Sequence, residues 1–195
     1  DPNAGIWSSD GTAAGTVHAP QVLCAGSAFF AGTPFATLPN GNLIFTGTPA
    51  GGPANWELWV SDGTPAGTQM LLDLDGRKTS STPYSLALTA DGFHFVARSS
   101  VDPDRRAYWK SDGTIRGTAE IPSPPGFTIV DIPSSTHAVV GEEIFFRGWT
   151  SETGYEPFRV AEGAISLVRD VFPGPESSLA DPWDDWPYPN QALFA

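Results

Sequence analysis

A twelve-residue phrase, ELWVSDGTPAGT at residues 57–68, decides the fold because its core is written three times in the chain. The other two copies are GIWSSDGTAAGT at 5–16 and AYWKSDGTIRGT at 107–118. The aspartates of the three phrases recur at intervals of 52 and 50 residues, at Asp10, Asp62 and Asp112. A fixed period of this length indicates a repeat fold with one structural unit per period.

Each period contains four short β-rich segments, separated by Gly, Pro, Asn or Asp. In the unit that begins at residue 34, the segments are 35–38, 42–47, 57–61 and 69–74. The next two units repeat this order at 84–89, 93–98, 107–111 and 118–121, and at 137–140, 143–147, 157–160 and 164–170. The last of these units lacks Ser-Asp-Gly-Thr and turns on Glu162-Gly163. Four strands per period without helical periodicity are typical of a β-propeller blade.

The two ends of the chain match complementary parts of a unit. The chain opens with a third and a fourth strand at 5–9 and 16–23, and closes with a first and a second strand at 186–189 and 191–195. We therefore predict one all-β domain over 1–195, a propeller of four blades with four antiparallel strands each. A two-plus-two strand seam between the N- and C-termini closes the ring. The alternative is an excerpt from a larger ring or array.

The predicted blade limits follow from these matches. Blade 1 combines 1–24 with 180–195, blade 2 covers 34–75, blade 3 covers 83–122 and blade 4 covers 136–171.

The repeated phrase predicts a strand, a tight turn and the start of the next strand. Asp-Gly beside a strand is a strong hairpin signal, since Gly accepts a positive φ and the Asp carboxylate accepts backbone hydrogen bonds. The aromatic residue of the third strand is expected to pack between blades. The structural residues of the motif are therefore Trp7, Asp10, Gly11, Trp59, Asp62, Gly63, Trp109, Asp112 and Gly113.

The phrase ELWVSDGTPAGT, with IFTGT before it and LLDLD after it, resembles the ELWxxDGT repeat family of secreted or surface proteins of bacteria. EIFFRGWTSETGYEPF and LVRDVFPGPESS are similar to the rest of that unit, so the resemblance extends over nearly the whole chain. It implies a propeller-like repeat and an exported, extracellular or cell-surface setting, but no catalytic residue. The turn also resembles the Asp-box of sialidase propellers.

Composition narrows the classes of partner. Ten Lys and Arg against 22 Asp and Glu give a net charge of -12, which repels nucleic acid and anionic lipid. No apolar run approaches the ~20 residues of a membrane-spanning helix, so we expect no membrane insertion. The lone Cys24 forms no intramolecular disulfide and no Cys-based zinc site.

Few residues suggest chemistry. His18, His94 and His137 are not at metal-ligand spacing, and no Gly-x-Ser-x-Gly elbow occurs, so no catalytic residue is predicted. Paired carboxylates could serve a glycosidase or Ca²⁺, but solvated turn carboxylates are the preferred interpretation. These pairs are Asp73 and Asp75, Asp102 and Asp104, Glu142 and Glu143, and Asp184 and Asp185.

The stretch least like the repeat is LADPWDDWPYPNQ at 179–191. Aromatic rings beside carboxylates suit binding of a carbohydrate or of another protein, and packing of the ring seam is the alternative. The candidate binding residues are Trp183, Asp184, Asp185, Trp186 and Tyr188. Trp56 and Trp149, expected on connecting loops, are weaker candidates for the same surface.

Three hypotheses about function follow from the sequence. The first is a non-enzymatic extracellular propeller that acts as an interaction or structural module and binds another protein or a second copy. The second is a glycan-binding propeller that uses the aromatic residues of 183–188. The third is a glycoside hydrolase-like enzyme with paired carboxylates. No cofactor is firmly implied, and Ca²⁺ is the one that the carboxylates would suit.

Overall fold

The structure is a computed structural model and describes residues 5–24, 35–77, 79–90, 92–102, 104–129 and 137–179. These residues form β-strands and turns, with no helix among them. The predicted all-β class is therefore confirmed. In the described ranges, no helix has the length and apolar character needed to cross a membrane.

The strands form four antiparallel sheets, which we number in chain order. Sheet 1 contains β1 (Ile6–Ser8) and β2 (Val17–Ala19). Sheet 2 contains β3 (Val22–Cys24), β4 (Phe35–Thr37), β5 (Leu43–Pro49), β6 (Glu57–Ser61) and β7 (Gln69–Leu72). Sheet 3 contains β8 (Tyr84–Thr89), β9 (Gly92–Arg98), β10 (Arg106–Ser111) and β11 (Ala119–Glu120). Sheet 4 contains β12 (Thr128–Ile129), β13 (Ala138–Val140), β14 (Glu143–Thr150), β15 (Gly154–Ala161) and β16 (Ala164–Leu167).

The first strand of sheets 2 and 4 is divided into two pieces. In sheet 2, β3 pairs with the end of β5 and β4 with its beginning. In sheet 4, β12 and β13 divide the length of β14 in the same way. In sheet 3, β8 is one strand, but its register with β9 shifts between Tyr84 and Ala87. The first strand of each of these three sheets is thus either divided or shifted in register.

The predicted fourth strand over 16–23 is two strands in the structure. Val17–Ala19 pairs with β1, whereas Val22–Cys24 pairs with β5 of sheet 2. The chain changes sheets here because Val22 is fully buried with Phe45 and Trp59 in the junction between sheets 1 and 2. Its partner strand lies far along the chain, so local pattern alone does not reveal the change.

The hydrophobic core lies between consecutive sheets. Trp59 of sheet 2 packs with Ile6 of sheet 1. Leu58, Val60, Leu71 and Leu74 of sheet 2 pack against Phe93, Phe95 and Trp109 of sheet 3. Val96 and Tyr108 of sheet 3 pack against Ile144, Phe146, Phe158 and Val160 of sheet 4. Each sheet therefore contributes one face to each neighbouring junction.

Burial along the strands distinguishes the inner sheets from the last one. All five residues of β6 are buried, and so are six of the seven residues of β9. In β15, by contrast, buried residues alternate with half-buried ones. Since successive side chains of a strand point to opposite faces, sheets 2 and 3 are covered on both faces and sheet 4 on one.

The aromatic residue of the repeated phrase faces the preceding sheet. Trp59 and Trp109 are 5% and 3% exposed in such junctions, whereas Trp7 is 55% exposed. Trp59 and Trp109 thus lie in junctions between sheets as expected, whereas the packing of Trp7 between blades stays a prediction. In the described residues, no sheet precedes sheet 1, and the ring of Trp7 stacks on His18 with centroids 4.2 Å apart.

Candidate functional site

The repeated phrase forms a closed loop of hydrogen bonds. Asp62 Oδ1 accepts hydrogen bonds from the backbone N–H of Thr64 (2.9 Å) and from its hydroxyl (2.7 Å). The hydroxyl of Ser61 accepts one from the N–H of Gly63 (3.0 Å) and shares another with Thr68 Oγ1 (2.6 Å). The same bonds recur around Asp10 and Asp112.

These bonds account for the residue type at each position of the phrase. Hydrogen bonds from Thr12, Thr64 and Thr114 lower the pKa of Asp10, Asp62 and Asp112, respectively. Each carboxylate is thus held in its charged form by the loop itself. The geometry explains the recurrence of the phrase as local scaffolding at the β6–β7 connection and its equivalents.

Three carboxylates lie close together where the first residue of β6 contacts the loop that follows β7. One oxygen of each of Glu57, Asp73 and Asp75 lies within 4.8 Å of the others. Glu57 is fully buried, Asp75 is buried and Asp73 is half-buried. Asp73 and Asp75 are one of the carboxylate pairs noted in the sequence, and the fold adds Glu57 to them.

Glu57 fastens the connection between sheets 2 and 3. Its Oε1 accepts the N–H of Ser81 (2.9 Å), and its Oε2 accepts the N–H of Leu74 (3.2 Å) and the hydroxyl of Ser81. Burial raises the pKa of Glu57 to about 7, even though these donors favour the charged form. The side chain therefore titrates near neutrality while holding a buried turn.

Asp75 is tied to the same connection. Its two oxygens accept the N–H of Arg77 (2.9 Å) and the hydroxyl of Thr79 (2.7 Å). Burial opposes ionisation, but the hydrogen bonds from Thr79 and Arg77 lower the pKa of Asp75 overall. A charged Asp75 thus lies beside a Glu57 that readily takes up a proton.

Sheet 4 contains a natural comparison for this arrangement. Glu156 accepts the N–H of Val171 (3.2 Å), the N–H of Ser178 (3.0 Å) and the hydroxyl of Ser178. The position after Val171 is Phe172, where the position after Leu74 is Asp75. In both sheets, a buried glutamate accepts hydrogen bonds from a serine and from one further backbone N–H, and we call this arrangement the glutamate–serine clip. Within the described residues, the third carboxylate of the cluster is found only in sheet 2.

The cluster has the donor set of a hard-cation site. Ca²⁺ binds carboxylate oxygens at about 2.3–2.6 Å, so ligands on opposite sides of one ion are about 5 Å apart. The spacing of Glu57, Asp73 and Asp75 fits this limit. Within the described ranges, this is the one group of three such side chains.

The other candidate residues do not converge on one place. The stretch with Trp183, Asp184, Asp185, Trp186 and Tyr188 lies outside the described residues. Trp149 lies within β14 rather than on a connecting loop, and Trp56 immediately precedes β6.

Four other candidate side chains either pair with a neighbouring group or have a pKa that burial shifts. Glu143 pairs with Arg159 at 3.1 Å. Asp102 Oδ1 accepts the N–H of Asp104 at 3.3 Å. Burial raises the pKa of the Cys24 thiol to about 11, which disfavours the reactive thiolate. Burial also lowers the pKa of His137, so this imidazole is mainly neutral at pH 7.

Sequence reasoning missed the two buried glutamates. Glu57 and Glu156 stand two residues before Trp59 and Phe158, in strands otherwise rich in apolar and aromatic residues. A charged residue inside such a strand, matched by a Ser-Ser pair 22 to 24 residues later, is the signal that indicates the clip.

Comparisons with known proteins identify a related fold. No protein-family model matches the chain, and no curated protein matches it. A mutant of puromycin hydrolase complexed with PGG matches 87% of this chain with a TM-score of 0.50 and 16% identity. Puromycin hydrolase itself matches 80% of this chain with the same TM-score and identity. The chain spans 23% of the hydrolase in each case, and the likeness shows the fold alone.

This finding corrects the functional hypotheses drawn from the sequence. The hypothesis of a non-enzymatic interaction or structural module, with its glycan-binding and glycosidase alternatives, is wrong, because solved chains that share the fold are those of a hydrolase of another kind. A repeated scaffold by itself therefore does not indicate a non-enzymatic protein, because a similar fold occurs in puromycin hydrolase. A scaffold of this kind occurs within a much longer enzyme chain.

Proposed function

We propose that this chain is a β-propeller domain of a hydrolase and that the groups that perform the hydrolysis belong to another part of the enzyme. The observation that carries this proposal is the match of 87% of the chain to 23% of puromycin hydrolase. The proposal makes the propeller a part of an enzyme rather than an independent binding module.

The local contacts favour a structural rather than a catalytic role for these residues. The polar side chains of the repeated phrase form hydrogen bonds within the phrase itself, and the two buried glutamates accept hydrogen bonds from the loops that follow their sheets. The thiol of Cys24 has a pKa of about 11 and is therefore a weak nucleophile at neutral pH. Hydrolysis by this domain alone is not expected.

For the architecture, we propose a propeller of four blades with four antiparallel strands each. Sheets 2, 3 and 4 supply three blades, and sheet 1 together with residues 180–195 supplies the fourth through a two-plus-two seam. Support comes from the equivalent strand order of sheets 2 and 4 and from the repeat that continues past residue 179. Membership of the ELWxxDGT repeat family and export from a bacterial cell stay predictions.

The proposed function is tested by assaying puromycin hydrolysis with two samples. One is the natural polypeptide that contains this sequence, and the other is the chain of residues 1–195 by itself. We expect turnover only with the natural polypeptide. Turnover by residues 1–195 would contradict the supporting role, and inactivity of both samples toward puromycin and a panel of aminoacyl anilides would contradict the assignment to a hydrolase.

A bound Ca²⁺ at Glu57, Asp73 and Asp75 is a subsidiary proposal. The carboxylate spacing supports it, and so does the presence of a similar glutamate clip in sheet 4 that works without the third carboxylate. The ion would link β6 to the connection that leads into sheet 3, and so would stabilise a junction rather than take part in a reaction.

A further inference from the structure

In sheets 2, 3 and 4, the aromatic residue of the repeated phrase or its equivalent points toward the preceding sheet. Trp59 faces sheet 1, Trp109 faces sheet 2, and Phe158, the equivalent residue of sheet 4, faces sheet 3. The opposite face of each inner sheet packs on the next sheet. In the described residues, this order leaves two faces uncovered, the Trp7 side of sheet 1 and the far side of sheet 4.

The far side of sheet 4, which we call the open face, is mainly apolar and aromatic, with two arginines and one carboxylate, that of Glu143. Cross-strand pairs place Phe145 beside Arg159, Arg147 beside Pro157 and Trp149 beside Tyr155 on this side. Val168, Val171 and Phe172, in the connection after β16, are 46%, 48% and 55% exposed. The arginines have local contacts, since Arg159 pairs with Glu143 and Arg147 lies 5.7 Å from the ring centroid of Tyr155.

The exposed valines occupy positions that are buried in sheet 2. Val171 is equivalent to Leu74, because each donates its N–H to the buried glutamate of its sheet. Val168 is likewise equivalent to Leu71, three residues earlier. Leu71 and Leu74 are 6% and 3% exposed because sheet 3 covers them. The open face thus has the residue pattern of a junction between two sheets.

The chain leaves sheet 4 in the way that it leaves sheet 2. Thr82 donates its N–H to the carbonyl of Trp56 (3.0 Å), and Leu179 donates its N–H to the carbonyl of Tyr155 (3.1 Å). Just after Thr82, β8 begins and forms the first strand of the sheet that covers sheet 2. Leu179, the last residue before the segment 180–195, therefore lies at the place in sheet 4 that Thr82 occupies in sheet 2.

The charge of the following segment complements this face. Residues 180–195 contain Asp181, Asp184 and Asp185 and no Lys or Arg. The open face presents Arg147 and Arg159 together with Glu143, which is a net positive charge in a chain that has only ten basic residues. The same segment contains Trp183, Trp186 and Tyr188, which are large enough to cover the exposed valines and Phe172.

We infer that the open face of sheet 4 is the docking surface for residues 180–195 of the same chain, which complete sheet 1 and seat the side of Trp7 against sheet 4. The inference rests on the four-bladed architecture proposed above. In this arrangement, Asp184 and Asp185 would form ion pairs with Arg147 and Arg159, and the neighbouring aromatic residues would pack in the seam. The aromatic and acidic stretch is then an internal junction rather than a ligand site.

The direct test places a photo-crosslinking amino acid at position 172 of the full chain. Irradiation at low protein concentration is followed by mapping of the linked peptides by mass spectrometry. We expect links within one chain to residues 180–195. The same amino acid at position 101, where Val101 is 87% exposed, is the control and should give no link to that segment. Links from position 172 to a second chain, or none to 180–195, would overturn the inference.

A second test uses charge. Val171→Asp should leave the other sheets folded and speed proteolytic cleavage within 180–195 by roughly tenfold, because the segment is released from the face. Val101→Asp should leave the cleavage rate unchanged. Equal cleavage rates in the two variants would contradict the docking. If Val171→Asp fails to fold, the crosslinks from position 172 decide. Neither measurement depends on hydrolase activity, so the seam and the proposed function can fail separately.

Discussion

The carboxylate of Asp62 lies directly against Gly67, so close that a methyl group on Gly67 would come within 2.1 Å of Asp62 Cγ. Thr64 holds the carboxylate in this position through two hydrogen bonds. Gly67→Ala must therefore displace a side chain that the loop needs, and we expect it to lower the free energy of unfolding by roughly 1–3 kcal/mol. Urea denaturation measures the change.

The matched control for this substitution is Gly52→Ala. A methyl group on Gly52 meets no atom within 4 Å, and its backbone is not in the left-handed region. Its stability should stay within about 0.5 kcal/mol of the parent chain. Equal stabilities of the two variants would show that the loop accommodates a side chain at residue 67 and that its geometry is not restrictive.

The pKa of Glu57 predicts a pH dependence of stability. Burial raises this pKa from 4.5 to about 7, so the folded chain holds a proton that the unfolded chain has already lost between these values. The free energy of unfolding should therefore fall as the pH rises from about 4.5 to about 7, by on the order of 1–3 kcal/mol, and then level off. Glu57→Gln should remove this part of the slope, which urea denaturation at several pH values will show. A Glu57→Gln variant with the slope of the parent chain would assign the dependence to other groups.

The hydrogen bonds of Glu156 in sheet 4 predict a local loss of stability. Glu156→Ala leaves the N–H groups of Val171 and Ser178 without their buried acceptor and should cost roughly 1–3 kcal/mol. Hydrogen exchange at these two amides should accelerate with it. Glu176→Ala removes an exposed carboxylate two residues before Ser178 and should change neither measurement. Similar results for both variants would count against the clip.

Trp7 reports on closure of the ring. If residues 180–195 cover it, Trp7→Ala should destabilise the chain by about 3–5 kcal/mol, as expected for Trp59→Ala in its buried junction. A Trp7 that stays 55% exposed would give a loss well below that of Trp59→Ala. Thermal unfolding of both variants, side by side, distinguishes the outcomes.

The carboxylate cluster predicts a response to Ca²⁺. Adding Ca²⁺ should raise the melting temperature of the parent chain, since a ligand that binds only the folded state stabilises it. Asp75→Asn should abolish the response. Asp170→Asn should retain it, because Asp170 lies in the connection after β16 of sheet 4 and is not one of the three clustered carboxylates. The same response in Asp75→Asn and in the parent chain would place the ion elsewhere.

Local sequence was sufficient to predict most of the strands. β5, β6, β9, β10 and β14 lie within a few residues of the predicted segments, because turn residues and apolar alternation bound them. Val22–Cys24 and Thr128–Ile129 were harder, since each is only two or three residues long and pairs with a strand about 20 or more residues away. Such pairing leaves no local pattern.

The candidate site was only partly predictable from the sequence. Asp73 and Asp75 stand out as a pair, but their meeting with Glu57 depends on the β6–β7 pairing, which brings residues 16 and 18 positions apart together. The role of Glu57 as a hydrogen-bond acceptor for Ser81 depends on the path between two sheets. The meeting of the three carboxylates has no recognisable spacing in the sequence, whereas the contact of Glu57 with Ser81 has a signal, the Ser-Ser pair that recurs 22 to 24 residues after each buried glutamate.

The one-sided burial of sheet 4 also bears on the order of folding. Strands within sheets 2, 3 and 4 mostly pair with near neighbours in the chain, so these sheets close short loops. The seam proposed between sheet 4 and sheet 1 instead joins residues 6–19 to residues 180–195, which are far apart in the chain, and so carries a larger entropic cost of closure. We therefore expect the seam to form last and to open first. The lifetime of the native ring would then be governed by this one junction, however stable the individual sheets are.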